Sequence, residues 1–206
     1  MNLMKKRWIL LIVACTINLC AGSIYAWSVF APPLAERLSL LTGEALTAGS
    51  LAAAFSLANA VGPIPMILGG AVNDRFGPRW VIASGGLLIG LGFFLAATAE
   101  TTLSLILGYG IGFGLGLGLV YGSTINTTLK FFPDHRGLAG GLTTALYGLS
   151  SVILPPVALA LISAEGIQYA LIMLGTVFTV MIVSGGLFMQ KCPDGFEAKF
   201  RSSTAA

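Results

Sequence analysis

Charge is what this sequence has least of. Of its 206 residues only 9% are Asp, Glu, Lys or Arg, against roughly a quarter in a soluble domain. Histidine occurs once, at position 135, and the three cysteines, Cys15, Cys20 and Cys192, are odd in number and lack metal-ligand spacing. A disulfide scaffold and a zinc module are therefore excluded, and no metal or other cofactor is expected. Segments of about ten residues alternating apolar and polar are missing too, which argues against a transmembrane β-barrel. What fills the chain is apolar: 56% of residues are hydrophobic and 27 are glycine, the composition of helices packed against helices in lipid.

Between its charges the chain leaves six uncharged stretches: Trp8 to Ala31, Ala48 to Val72, Trp80 to Ala99, Thr101 to Leu129, Gly137 to Ala164 and Gly166 to Gln190. Each has the length of about 20 residues that a helix needs to cross a hydrocarbon core. The expected fold is an all-α membrane protein of six transmembrane helices, with a domain over residues 1–190 and a short tail or linker over 191–206. Basic residues in short loops are retained on the cytoplasmic side. With the N-terminus inside, ten of the eleven Lys and Arg residues fall in cytoplasmic segments and only Arg37 lies outside, together with Glu36, Glu44, Glu100 and Glu165. Both termini are then cytoplasmic, in an inner (plasma) membrane. The positive-inside rule accounts for all these charges, so nucleic acid is not an expected partner.

Lys5-Lys6-Arg7 followed by an apolar run also begins a secretory signal, and Ile12-Val13-Ala14-Cys15 resembles a lipoprotein cleavage box. The apolar core before that cysteine is at the short limit for a signal peptide, and the run continues uncharged to Ala31, so the first stretch reads as a span.

Internal prolines mark the second helix of each set of three: Pro63 and Pro65 in helix 2, Pro155 and Pro156 in helix 5, and no other span interior. Breakers at matching places in two halves of opposite orientation point to two inverted three-helix repeats, as transporters have. Helix 4 carries Gly108, Gly110, Gly112, Gly114, Gly116, Gly118 and Gly122. Their even spacing is not that of a phosphate-binding loop. It gives two four-residue ladders, 108/112/116 and 110/114/118/122, on roughly opposite faces of one helix, so two neighbours can approach it closely.

The loop between helices 2 and 3 reads Gly70-Ala71-Val72-Asn73-Asp74-Arg75-Phe76-Gly77-Pro78-Arg79. It resembles the G-x-x-x-D-R-x-G-x-R signature of the major facilitator superfamily, with Gly70, Asp74, Arg75, Gly77 and Arg79 at the five fixed positions. Gly22-Ser23-Ile24-Tyr25-Ala26-Trp27-Ser28-Val29-Phe30 in helix 1, and Lys130-Phe131-Phe132-Pro133-Asp134-His135-Arg136-Gly137-Leu138-Ala139-Gly140-Gly141 after helix 4, are similar to segments of the oxalate/formate antiporter family, related to the monocarboxylate carriers. The resemblance covers the whole chain but only the N-terminal half of a twelve-helix member.

It implies secondary transport of small carboxylates such as oxalate, formate or lactate by alternating access, with no enzymatic activity. The expected partners are a small organic carboxylate anion, the lipid bilayer and a second six-helix half, encoded downstream or in a separate chain. It also implies that Gly70, Asp74, Arg75, Gly77 and Arg79 form a cytoplasmic latch rather than touch substrate. In the family the cations for the substrate carboxylate lie in the second half, and no span here carries a charge. An arginine in helix 4 and a G-P motif in helix 5, which some proton-coupled exporters carry, are missing as well.

Family helices 1 and 4 line the central cavity. Asn18, Gly22 and Tyr25 share one stripe of helix 1, and Gly114, Gly118, Tyr121 and Thr128 one stripe of helix 4. Tyr121 and Tyr25 are the leading substrate-binding candidates, because a buried hydroxyl needs a partner that a carboxylate oxygen supplies. Asn18, Thr128 and Tyr147 follow. Asn59 and Tyr147 could equally make inter-helix hydrogen bonds, and His135 reads as a solvated loop residue. Two other classes are set beside this one. An intramembrane serine protease at Ser123 lacks a histidine within any span, and a self-assembling six-helix channel or scaffold lacks a charged ring; a truncated, non-transporting remnant is the further alternative.

Overall fold

The computed structural model describes residues 3–193 and 195–196, so the tail expected over 191–206 lies mostly outside the described residues. Every regular element among the described residues is helical: α1 (Leu3–Ala21), a 3₁₀ segment (Gly22–Ala26), α2 (Trp27–Thr42), α3 (Ala52–Val61), α4 (Pro63–Phe76), α5 (Pro78–Ala97), α6 (Thr102–Leu105), a π-helical segment (Ile106–Phe113), α7 (Gly114–Phe131) and α8 (Arg136–Phe188). This is an all-α membrane architecture.

α1, the 3₁₀ segment and α2 join into a single rod. It does not end at Ala31, the expected end of the first span, but runs on through Pro32 and Pro33 to Thr42, and stops at Gly43 with φ of 73°. The prolines are tolerated because packing holds the rod: Phe30, Ala31, Leu34, Ala35 and Leu38 are buried, and Arg37 donates to the Ala99 carbonyl at 3.1 Å. The sequence reading that confines internal prolines to the second and fifth helices is corrected by this continuation, and the matched-breaker argument for inverted repeats loses its uniqueness.

α3 and α4 meet at Gly62, whose dihedrals stay helical, with Pro63 opening α4 at the position where its missing N–H costs no helical bond. Gly77, with φ of 82°, turns the chain from α4 into α5. Before α7, Thr101 and Ser104 close a capping box, the Thr101 hydroxyl accepting from Ser104 N at 3.1 Å and Ser104 Oγ accepting from Thr101 N at 3.2 Å.

Among the described residues four helical stretches have the length and hydropathy to cross a membrane, Lys6–Thr42, Pro78–Ala97, Thr102–Phe131 and Arg136–Phe188, and Ala52–Leu68 is a shorter apolar helix. At 53 residues α8 is more than twice the length of one crossing. It breaks at Gly166, where φ of 85° and ψ of 172° lie outside helical space. Its two arms run in opposite directions. Residue 150, in the first arm, touches Gly22; in the second, Gln168 donates to the Ala97 carbonyl at 3.1 Å, and Gln190, just beyond it, accepts from Lys6 Nζ at 2.6 Å.

α7 and the π segment stand between two neighbours, and the glycines decide which. Gly108, Gly112 and Gly116 face α5, while Gly110, Gly114, Gly118 and Gly122 face α3 and α4. The two ladders thus lie on opposite faces. Contact is backbone to backbone: a Cβ at Gly116 would lie 2.6 Å from the Gly85 carbonyl oxygen, and one at Gly118 2.0 Å from that of Gly62. Toward the end marked by Ala97 and Ala99 the interior is aromatic. Phe93 sits edge-on to Phe30, Tyr109, Phe113 and Phe178 at centroid separations of 5.6 to 6.1 Å, in the geometry that the ring quadrupoles favour.

Candidate functional site

Three tyrosines from three separate segments meet. Tyr25, on the 3₁₀ segment, packs edge-on to Tyr147 of the first α8 arm at 5.4 Å, and Tyr147 packs against Tyr121 of α7 at 4.6 Å. Two features bring them together. Gly22 lets α8 come so close that an added Cβ would fall 2.4 Å from the Tyr147 carbonyl oxygen, and Ser150 donates its hydroxyl to the Gly22 carbonyl at 2.8 Å. The tightly wound 3₁₀ turn then presents Tyr25 beside Tyr147. Tyr25 is 42% exposed and the other two are half-buried, so the trio forms an aromatic wall with one open side. Phenol hydroxyls on this wall can orient a small anion by hydrogen bonds without presenting a cation.

The other cavity candidates are placed differently. Asn18 is fully buried, and neither amide atom has a hydrogen-bond partner among the described residues. Thr128 is buried and donates to the Thr124 carbonyl at 2.7 Å, so its hydroxyl is used within its own helix. Gly114 and Gly118, on the same expected stripe, are covered by Ala58 and by Gly62 with Pro65. That part of the α7 face meets α3 and α4 and is not open. Asn59 donates to the Phe55 carbonyl of its own helix at 2.9 Å and bridges no helices among the described residues.

At the basic end, Asp74 accepts a hydrogen bond and ion pair from Lys130 of α7. The carboxylate thus ties the end of α4 to the end of α7. Arg75 lies over the Phe76 ring at 5.5 Å, and Arg79 is exposed at the start of α5. Gly77 makes the turn, and Gly70 lets α4 pass Asn126, whose Nδ2 would lie 3.4 Å from an added Cβ. Beside this loop, Asn73 is buried: its Nδ2 donates to Thr127 Oγ1 at 3.3 Å and its Oδ1 accepts from Ser123 Oγ at 2.7 Å.

Sequence reasoning also missed a pair that the positive-inside rule concealed. Arg7 is only 5% exposed. Its Nη1 lies 2.7 and 2.9 Å from the two oxygens of Asp134, and its guanidinium stands 4.9 Å from the Phe132 ring centroid. His135 Nε2 is 3.6 Å from the same carboxylate. The available signal was Asp134 itself, the acid of a short basic loop. No cluster of three metal-ligating side chains occurs among the described residues.

The Major Facilitator Superfamily model matches residues 5–203. An uncharacterized MFS-type transporter of Escherichia coli (strain K12) is 30% identical over 193 residues, which cover 93% of this chain and 46% of that protein. The oxalate:formate antiporter of Oxalobacter formigenes is 30% identical over 183 residues, 88% of this chain and 42% of that one. Human monocarboxylate transporter 11 is 32% identical over 183 residues, 88% and 38% of the respective chains. The chain therefore spans less than half the length of these relatives. With the loop signature in place between α4 and α5 and a model match over nearly its whole length, the chain belongs to the Major Facilitator Superfamily.

Proposed function

We propose that this chain forms one half of a secondary transporter for small carboxylate anions, crossing an inner membrane six times with both ends of the chain in the cytoplasm. It works by alternating access together with a second six-helix half that supplies the cationic partners of the substrate. The observation that carries the reading is the convergence of Tyr25, Tyr147 and Tyr121 from three segments onto one partly open aromatic wall. Relatives named for oxalate and formate exchange, monocarboxylate transport and sulfoacetate transport supply the chemical class.

The polar inventory supports a binding wall rather than a reaction centre. Ser123, the serine that a protease would need, is buried and donates to Asn73, while His135 stands at the far end of the 132–135 loop beside Asp134. Asn18, Tyr25, Tyr121, Tyr147 and Thr128 are proposed as the substrate-facing set of this half, with the tyrosines in direct contact. Asn18 and Thr128, both buried, are reached as the halves rock. Gly70, Asp74, Arg75, Gly77 and Arg79 are proposed as the latch between conformations, with residues 1–190 as the membrane domain and 191–206 as the start of the linker.

The test is oxalate binding and exchange in proteoliposomes that hold this chain with a second six-helix half. A hydrogen bond from a tyrosine to a carboxylate contributes about 1.5 to 3 kcal/mol, so Tyr121→Phe should weaken oxalate about tenfold or more while leaving the chain folded. Unchanged affinity in Tyr121→Phe, Tyr25→Phe and Tyr147→Phe alike refutes the wall as a carboxylate site.

A further inference from the structure

A groove of about 440 Å³ lies between α4 and α7 at the basic end, apart from the tyrosine wall. That volume is within the range of roughly 300 to 1,000 Å³ typical of small-molecule sites. Its floor is kept low by two glycines: a Cβ at Gly70 would press on Asn126 Nδ2 at 3.4 Å, and one at Gly122 on Met66 Cα at 3.1 Å. Met66, Ile67, Ile125 and Leu129 make the apolar sides, and Asn126, Lys130 and Arg136 supply the polar lining. The lining is cationic, with a carboxamide between, and its lysine already holds a carboxylate, that of Asp74. Asp74 is more than half exposed and Lys130 about a third, so the pair is open to competition and weak in the way of solvated ion pairs.

We propose that this groove is a second carboxylate site, in which an incoming small carboxylate takes Lys130 from Asp74, the carboxylate of the latch loop. The chemistry is an exchange of one carboxylate for another at a single ammonium. Lys130 keeps its charge, and Asn126 donates from its Nδ2, with Arg136 lining the rim. Asp74 is thereby an internal competitor. Arrival of substrate on the basic side is coupled to release of the latch, because both need the same lysine. This inference rests on the carboxylate reading above for its ligand class, but its residues do not overlap with the tyrosine wall.

The experiment uses the full chain in phosphatidylcholine nanodiscs, with lysines reductively ¹³C-dimethylated so that their charge is kept. The Lys130 resonance is identified by its loss in Lys130→Arg. Oxalate should move that resonance saturably and leave Lys6 unmoved, whereas chloride at matched ionic strength should not move it. Asp74→Asn should tighten the apparent affinity at least threefold, since the competitor is gone; should that variant fail to assemble, Asp74→Ser carries the same comparison. An unmoved resonance, or equal affinity with and without the Asp74 carboxylate, overturns the proposal. A resonance that responds to added phosphatidylglycerol and ignores oxalate assigns the groove to lipid phosphate and overturns it as well. Tyr121→Phe should leave the Lys130 titration as it is. If it abolishes that titration the two sites are one and the inference fails, whereas a Lys130 response that persists while the tyrosine variants leave affinity unchanged refutes the wall and leaves the groove standing.

Discussion

Arg7, near the start of α1, and Asp134, in the loop before α8, are joined across 127 residues of sequence by one guanidinium nitrogen that reaches both carboxylate oxygens. The pair fastens the first helix to the loop between α7 and α8, and Phe132 covers the guanidinium. Removing one partner of a buried pair takes its charge-assisted hydrogen bonds from the other, whereas removing both takes the buried charge away as well. Asp134→Asn should therefore destabilise the chain by about 2 kcal/mol, and the double variant Arg7→Met with Asp134→Leu by less than Asp134→Asn alone. Thermal unfolding of the detergent-solubilised chain measures both. A double variant less stable than the single one would show that Arg7 acts through other contacts.

The glycine ladders predict an ordering within a single helix. Gly118→Ala drives a methyl group into the Gly62 carbonyl at 2.0 Å, and Gly116→Ala drives one into the Gly85 carbonyl at 2.6 Å. Both neighbours are backbone and cannot rotate away. Gly112, in the same ladder as Gly116, meets only Gly92 Cα at 3.8 Å, an ordinary contact. Overpacking costs about 1 to 3 kcal/mol and more where backbone must shift. Gly116→Ala and Gly118→Ala should lose folded yield and melt at lower temperature, while Gly112→Ala stays close to the parent. Equal behaviour of all three in a thermal melt would mean that the ladders do not set the helix spacing.

Asn73, Ser123 and Thr127 should behave as one unit. The carboxamide accepts from Ser123 at 2.7 Å and donates to Thr127 at 3.3 Å inside the α4–α7 contact. Removing Asn73 leaves two buried hydroxyls short of a partner, a cost of about 1 to 3 kcal/mol per stranded group in water-based scales; inter-helix hydrogen bonds in bilayers average about 0.6 kcal/mol. A double-mutant cycle of Asn73→Ala with Ser123→Ala should give a coupling of about 0.5 to 2 kcal/mol. Strict additivity of the two single variants would dissolve the unit.

Much of this architecture is legible in the residues because the rules that produce it are local. Four-residue glycine spacing on a helix dictates two close faces, and Gly108 to Gly122 present them to α5 and to α3 and α4. Glu165 and Gly166 mark a break, and the chain reverses there. Pro32, Pro33, Glu36 and Arg37 carry equally local stop signals, yet the helix passes through them, because buried Leu34 and Leu38 and the Arg37 bond to Ala99 outweigh local preference. The site divides along the same line. Tyr25 and Tyr121 stand out by periodicity and family resemblance, but that Tyr147 lies between them depends on the Gly22–Ser150 crossing, 128 residues apart in sequence. Asn73 with Ser123, and Arg7 with Asp134, are pairings of the same long-range kind. No spacing rule reaches them, and a basic residue already accounted for by topology gives no sign of a second role.

Asn18 separates stability from function most directly. Its carboxamide is fully buried with both polar atoms unpartnered among the described residues, and a buried polar group without a hydrogen bond costs about 1 to 3 kcal/mol. Leucine has the same branched heavy-atom skeleton and no such cost. Asn18→Leu should therefore raise the stability of the chain by about 1 kcal/mol or more, seen as a higher melting temperature. If the carboxamide is kept for substrate, the same variant should weaken oxalate binding in the assembled carrier severalfold, by the loss of one hydrogen bond to a charged ligand. Asn18 lies on α1, one turn before the 3₁₀ segment that carries Tyr25. A variant that is stabler and binds normally would make Asn18 a structural polar residue only. One that is less stable would show that the carboxamide is satisfied in the membrane-embedded state, and would remove it from the substrate-facing set.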